Sequence, residues 1–197
     1  MAITLNHHEL DNPVEQMLQG ITCLMAYKDC IQNRDSYEAE FVIAACEILN
    51  SYLGRKDYSV VMEYPYRIIV GGKTRKEADL VVLRRPQNKD EKGQVLCVME
   101  FKMSTDTNGG VEKDVEKLRS LPSGIDRLSV LLFLKPNKGL RQQYVTDSFI
   151  ADRTVSYIKA NKDLKQDTNV RIRRVTKVMR SKTSTREPYM AVCIEVV

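Results

Sequence analysis

The chain has 197 residues, 43% hydrophobic and 29% charged, a balance that can bury one core and excludes disordered and fibrous classes. No apolar run reaches the roughly 20 residues of a bilayer-spanning helix, and the start MAITLNHHELDNP lacks a basic stretch followed by an apolar one, so neither a membrane span nor a secretory signal is expected. The net charge is +5, and residues 165–197, with eight basic and three acidic side chains, hold all of it.

Five cysteines (Cys23, Cys30, Cys46, Cys97, Cys193) are odd in number, spread along the chain and set in apolar segments. That usage predicts buried, reduced thiols in a cytoplasmic protein. With no CxxC pair and only His7 and His8 as histidines, a structural zinc site is not expected.

Taken in chain order, residues 9–33 read as a helix, because Val14, Met17, Leu18, Ile21, Leu24, Met25 and Ile31 recur at helical spacing. A second helix is predicted over 36–53, ended by Gly54. Its Phe41, Val42, Ala45, Ile48, Leu49 and Tyr52 form an apolar face, with Glu40 and Glu47 opposite, in solvent. Glu38, in its first turn, falls on the apolar face, where it either points at the sheet or completes a capping box with Asp35. The period then becomes that of strands: 58–70, interrupted at Pro65, then 77–84 and 95–103, with Gly71-Gly72 as a hairpin turn. Residues 104–110, polar and following the site strand, read as a connector, the other reading being a contact to the substrate. A short helix over 111–121 follows, whose Glu112, Lys113, Asp114, Glu116 and Lys117 look like a solvated face. Residues 128–134 (LSVLLFL) are continuously apolar, as in a strand buried on both faces. A helix over 142–162 and two strands, 169–179 and 188–197 around the loop 180–187, close a single mixed α/β domain.

The chemistry concentrates on the strands 77–84 and 95–103. Paired as an antiparallel hairpin with Asp79 opposite Glu100, they set Val81 against Val98 and Leu83 against Leu96, and Lys102 shares the face of Glu100. Two carboxylates so placed repel, and a divalent cation between them removes that repulsion and offers a seat to a phosphate oxygen. A lysine beside them can orient a metal-bound water. The plainer reading is a cross-strand ion pair of Lys102 with Glu77, of the kind that contributes little.

Glu38 on the first core helix, Asp79 entering a strand, and Glu100-Phe101-Lys102 on the next strand resemble the PD-(D/E)XK nuclease superfamily. The succession SYEAEFVIAACEIL, EADLVVL, VMEFK, then a helix and a buried strand, is similar to its αβββαβ core over about residues 36–135. One departure is Ala78, where such families often carry proline. The resemblance implies a restriction-endonuclease-like fold with an added N-terminal helix and a C-terminal β-hairpin. It also implies a Mg²⁺-dependent endonuclease, with Mn²⁺ as substitute, leaving a 5′-phosphate and a 3′-hydroxyl. Asp79, Glu100 and the Phe101 carbonyl would bind the metal, Lys102 would position the attacking water, and Glu38 would assist, directly or at a second metal.

The C-terminal hairpin carries Arg171, Arg173, Arg174, Lys177, Arg180, Lys182 and Arg186. They are read either as contacts to nucleic-acid phosphates or as a solvated edge that discourages aggregation. By alternation, Arg171 and Arg173 share a face and Arg174 projects to the other. The expected partner is DNA, with no membrane. A homodimer, with residues 9–33 at the interface, or an activating protein partner is also expected. Cleavage of RNA, or a non-catalytic nucleic-acid-binding or assembly module on the same fold, are the alternatives.

Overall fold

A computed structural model describes residues 7–28, 38–54, 57–86, 93–103, 109–133, 170–178 and 189–196. The expected helix over 142–162 and loop over 180–187 lie outside these residues. Ten elements follow in order: α1 (His7–Tyr27), α2 (Glu38–Leu53), β1 (Tyr58–Pro65), α3 (Tyr66–Val70), β2 (Glu77–Arg84), β3 (Gln94–Met103), α4 (Gly109–Arg119), β4 (Asp126–Phe133), β5 (Val170–Val178) and β6 (Tyr189–Val196).

The strands form one mixed sheet in the order β1-β2-β3-β4-β6-β5. Only β3 and β4 pair in parallel; the other neighbours are antiparallel. A parallel pair needs a crossover, and α4 provides it. Alternate residues of the strands face opposite layers. Leu80, Val82, Cys97, Met99 and Phe101 join a core with α1 and α2, while Val81 and Val98 join a second core with Val115 and Leu118 of α4. No helix among the described residues is long and apolar enough to cross a membrane.

α1 buries Leu10, Val14, Met17, Leu18, Ile21 and Met25 completely. This stripe of the helix expected at a dimer interface packs into the chain's own core. On α2 the buried residues are Phe41, Ala45, Leu49 and Leu53. Tyr52, expected on that face, is exposed, and Glu40, expected in solvent, is half-buried and paired with Lys28.

Two further expectations are corrected. Tyr66-Arg67-Ile68-Ile69-Val70, rich in β-formers, is a helical turn, because Pro65 ends the strand and Gly71, at φ 78°, lets its N–H turn back to the Arg67 carbonyl. Gly71-Gly72 therefore lies in a longer connection from α3 to β2. Leu83 pairs with Val95 instead of Leu96, because a bulge interrupts the β2–β3 ladder between Val82 and Leu83.

Glu63, on the edge strand β1, adopts φ 52°, a conformation costing an L-residue roughly 1–2 kcal/mol. Glu63→Gly is expected to match or exceed wild-type stability, whereas Glu63→Val should lose about 1–2 kcal/mol because a β-branched side chain fits this region poorly. Urea denaturation of the two variants checks this, and equal midpoints would contradict it.

Candidate active site

The ladder pairs Val81 with Val98 and Leu80 with Met99, so one more step sets Asp79 opposite Glu100. Glu100, two residues from Val98, belongs to the face that carries α4, whereas strict alternation breaks around Asp79, with Ala78 in the α4-side core and Leu80 in the other. Asp79 leans along the sheet, and its Oδ2 accepts the Phe101 N–H at 2.7 Å. The Phe101 ring itself is buried in the other core, against α1 and α2. The peptide that follows Glu100 is thereby held by Asp79.

Glu38 is the first residue of α2 and reaches the end of β3. Its Oε2 accepts the Met103 N–H at 2.9 Å, and its Oε1 accepts from Lys102 Nζ at 3.3 Å. Of its two readings, the one that turns it toward the sheet is realised; Asp35 lies outside the described residues. Lys102 pairs with Glu38 instead of Glu77, which is exposed on β2 opposite Pro65. Four residues named from the sequence, Glu38, Asp79, Glu100 and Lys102, thus meet at one end of β2 and β3.

Three more residues belong with them. Glu100 is 1% exposed, and both its oxygens are engaged: Tyr66 Oη donates to Oε1 at 2.8 Å and Lys117 Nζ to Oε2 at 2.9 Å. Lys117 also pairs with Asp114 at 3.4 Å, and Asp114 is 7% exposed. The expected solvated face of α4 is therefore corrected. Asp114 and Lys117, three apart on a helix lying over the sheet, turn inward, while Lys113 and Glu116 remain exposed. Tyr66 was missed because its segment was read as strand. An acid and a lysine at i, i+3 beside Val115 and Leu118 were the available signal for the inward pair.

Burial dominates the electrostatics. It raises the Glu100 carboxyl to about 7 against the pull of Lys117, and the charge of Asp79 pushes the same way. Asp79 is likewise raised by burial, against its bond from Phe101 N–H and with repulsion from Glu38. Asp114 is raised by burial too. Burial works against the Lys117 ammonium, yet its bonds to Glu100 and Asp114 lift its pKa above the ordinary value. Buried acids facing one another are a setting in which a cation is welcome.

Among the described residues, no group of three or more His, Cys, Asp or Glu side chains is placed to hold a metal ion. What the strands offer is smaller: the Asp79 and Glu100 carboxylates, three of whose oxygens already accept a hydrogen bond and keep a lone pair free. That is the sparse oxygen set Mg²⁺ accepts when water and phosphate complete its shell. It fits a hard cation and not a soft one.

The basic hairpin is arranged differently from the alternation rule. A bulge in β5 between Ile172 and Arg174 inserts Arg173 and changes which way the following side chains point. Arg173, its side chain 8% exposed, donates to Asp11 Oδ1 at 3.0 Å, with Asp126 at 3.8 Å. Arg174 lies 3.7 Å from Glu15, so both arginines reach α1 rather than opposite faces. Arg173 thus joins elements within the chain and is removed from the phosphate-contact set. The side chains of Arg171 and Lys177, and all of Arg180, Lys182 and Arg186, lie outside the described residues. Arg173→Ala is expected to destabilise the fold by about 2 kcal/mol, less than a fully buried pair would because Asp11 is about a third exposed. Chemical denaturation measures this; an unchanged midpoint would mean the ion pair contributes nothing.

No known family, curated protein or solved structure matches the chain. The site's chemistry therefore rests on its own geometry. Of the described cysteines, Cys97 and Cys193 are buried as expected, whereas Cys46 is half-buried and Cys23 is exposed, on the side of α1 away from its buried stripe.

Proposed function

We propose that this chain is a divalent-metal-dependent endonuclease with a PD-(D/E)XK-type site on a restriction-endonuclease-like core, hydrolysing phosphodiester bonds in DNA. The observation that carries this reading is the closeness of Asp79, bonded to the Phe101 N–H, to Glu100 on the neighbouring strand, with Lys102 two residues on and bonded to Glu38. Asp79, Glu100 and the Phe101 carbonyl would hold Mg²⁺ or Mn²⁺. When bound, the cation supplies neutralisation of phosphate charge and acidification of water.

The chain's own residues do the rest. Asp79 carries negative charge to the site and fixes the Phe101 backbone through its N–H. Tyr66 and Lys117 hold the Glu100 carboxylate in one orientation by engaging both oxygens. The Lys102 ammonium, steadied by Glu38, is positioned to orient the attacking water and stabilise the charge that develops on the phosphate. Glu38 acts through Lys102 and Met103 as a positioning residue. The products are a 5′-phosphate and a 3′-hydroxyl.

A second reading, a nucleic-acid-binding module without catalysis, draws on one observation: the Lys117 ammonium pairs with the buried Glu100 carboxylate and can itself balance that charge. The deciding experiment incubates the protein with plasmid, linear duplex, single-stranded DNA and RNA in Mg²⁺, Mn²⁺ or EDTA, beside Lys102→Ala. Metal-dependent DNA cleavage that falls by about 10²–10⁴-fold in the variant supports the nuclease. Binding without cleavage in any metal moves the second reading ahead, and preferential RNA cleavage replaces DNA as the substrate.

A further inference from the structure

A cleft of about 500 Å³ lies between α3, the 71–76 loop and α4, lined in part by Tyr66, Thr74, Lys76, Lys113, Lys117 and Ser120. Two of these, Tyr66 and Lys117, are the residues that hydrogen-bond Glu100. The cleft and the carboxylates therefore share a wall. Three of its lining residues are lysines and one, Glu116, is an acid.

The surroundings add to this charge. Residues 66–76 (YRIIVGGKTRK) contain four basic side chains and no acidic one; Arg67, Lys73, Arg75 and Lys76 are all exposed. The loop is also fastened. Gly71 and Gly72, at φ 78° and 86°, make the turn. Tyr66 N–H bonds the Lys76 carbonyl at 3.0 Å, and Lys76 N–H bonds Thr74 Oγ1 at 3.2 Å. Its two ends are joined by the Tyr66–Lys76 bond, so the backbone carrying these cations is already ordered and only their side chains have to be fixed on binding. By contrast, of the arginines in the C-terminal strands whose side chains are described, Arg173 is buried against Asp11 and Arg174 lies near Glu15.

We propose that this cleft is the groove that receives the phosphate backbone of one nucleic-acid strand and leads it to Asp79 and Glu100, with Lys76 and Lys113 contacting phosphates that flank the reacting one. The inference rests on the nuclease reading and deepens it by naming where the substrate enters. A space of this size admits a strand's backbone over about a nucleotide or two and not the width of a duplex. A duplex would present one of its strands here, or a frayed end. Lysine contacts of this kind add affinity without sequence choice and make binding steeply salt-dependent.

The test is fluorescence anisotropy of labelled single-stranded and duplex DNA in EDTA, over a range of salt, with wild type, Lys76→Ala/Lys113→Ala, Arg85→Ala and Arg174→Ala. Arg85 is exposed just beyond the opposite end of β2. All these positions are on the surface, and thermal midpoints check that each variant is folded. The double variant is expected to bind at least about 10-fold more weakly. Its log–log salt slope should be shallower by roughly 1.4 on single strands and 1.8 on duplex, as for two lost phosphate contacts. Arg85→Ala should bind as wild type does. Comparing the two substrates shows whether a free strand or a duplex is preferred.

Wild-type affinity and slope in the double variant would overturn the cleft, as would a slope lost in Arg174→Ala alone or a wild type that binds no nucleic acid. If the wild type also cuts in Mg²⁺ while the double variant binds normally, only the cleft fails and the nuclease reading stands. If the lysine-dependent slope is found but no metal supports cleavage, the cleft stands and the nuclease reading falls.

Discussion

Asp79→Asn is expected to fold like the wild type and to lose metal-dependent DNA cleavage by roughly 10²–10³-fold. The two effects separate because Asp79 has two duties. Its Oδ2 accepts the Phe101 N–H at 2.7 Å, and an asparagine oxygen can take that bond over. What asparagine lacks is the negative charge opposite Glu100. Since burial already raises the Asp79 carboxyl, removing the charge should leave the melting temperature unchanged or slightly higher. Cleavage rate and thermal melt, measured on one preparation, decide the matter. An Asn variant that cuts as well as the wild type would remove Asp79 from the chemistry.

The second large effect concerns stability and pH. Glu100 is pushed up to about 7 from an ordinary 4.5, so between those values the folded chain holds a proton that the unfolded chain has released. Its contribution to stability is complete below about pH 4.5 and is lost as pH rises through about 7. The loss between pH 5 and 8 should be about 2.5 kcal/mol in EDTA. Denaturant unfolding of wild type and Glu100→Gln across that range isolates it: the glutamine variant should lack this part of the slope. Mg²⁺ at pH 8 should restore stability to the wild type by mass action, about 3 kcal/mol at a hundredfold excess over its dissociation constant, and do little for the variant. A wild-type curve parallel to that of the variant would contradict the assignment.

The sequence made the hairpin of β2 and β3 legible because its apolar residues match in both strands, and Val81 against Val98 sets the register. From that register the nearness of Asp79 to Glu100 follows, though not the break in alternation between Ala78 and Leu80. The helical spacing of α1 and α2 was equally plain, and it carried Glu38 to the sheet. What escaped has a common physical origin. The bulges after Val82 and before Arg174 each change which side a residue takes, and strict alternation cannot register an inserted residue. α3 escaped because a single helical turn is shorter than the period that would reveal it. Lys117 escaped because a charge pair at i, i+3 looks the same in solvent as against a buried carboxylate, until the sheet is present. The mixed six-stranded sheet with helices on both faces agrees with the expected α/β class.

Glu38 and Met103 are 65 positions apart in sequence, yet one hydrogen bond joins the start of α2 to the end of β3. Lys102 is held by the same carboxylate. On the proposed function, docking of α2 is what would steady the lysine for catalysis. A chain still emerging from synthesis, or one whose helix has peeled away, keeps its carboxylates but leaves Lys102 unsteadied. For a protein that cuts nucleic acid, competence would arrive together with native packing, sparing the cell's own DNA from half-folded copies. Refolding followed simultaneously by spectroscopy and by cleavage would place the two on one time course.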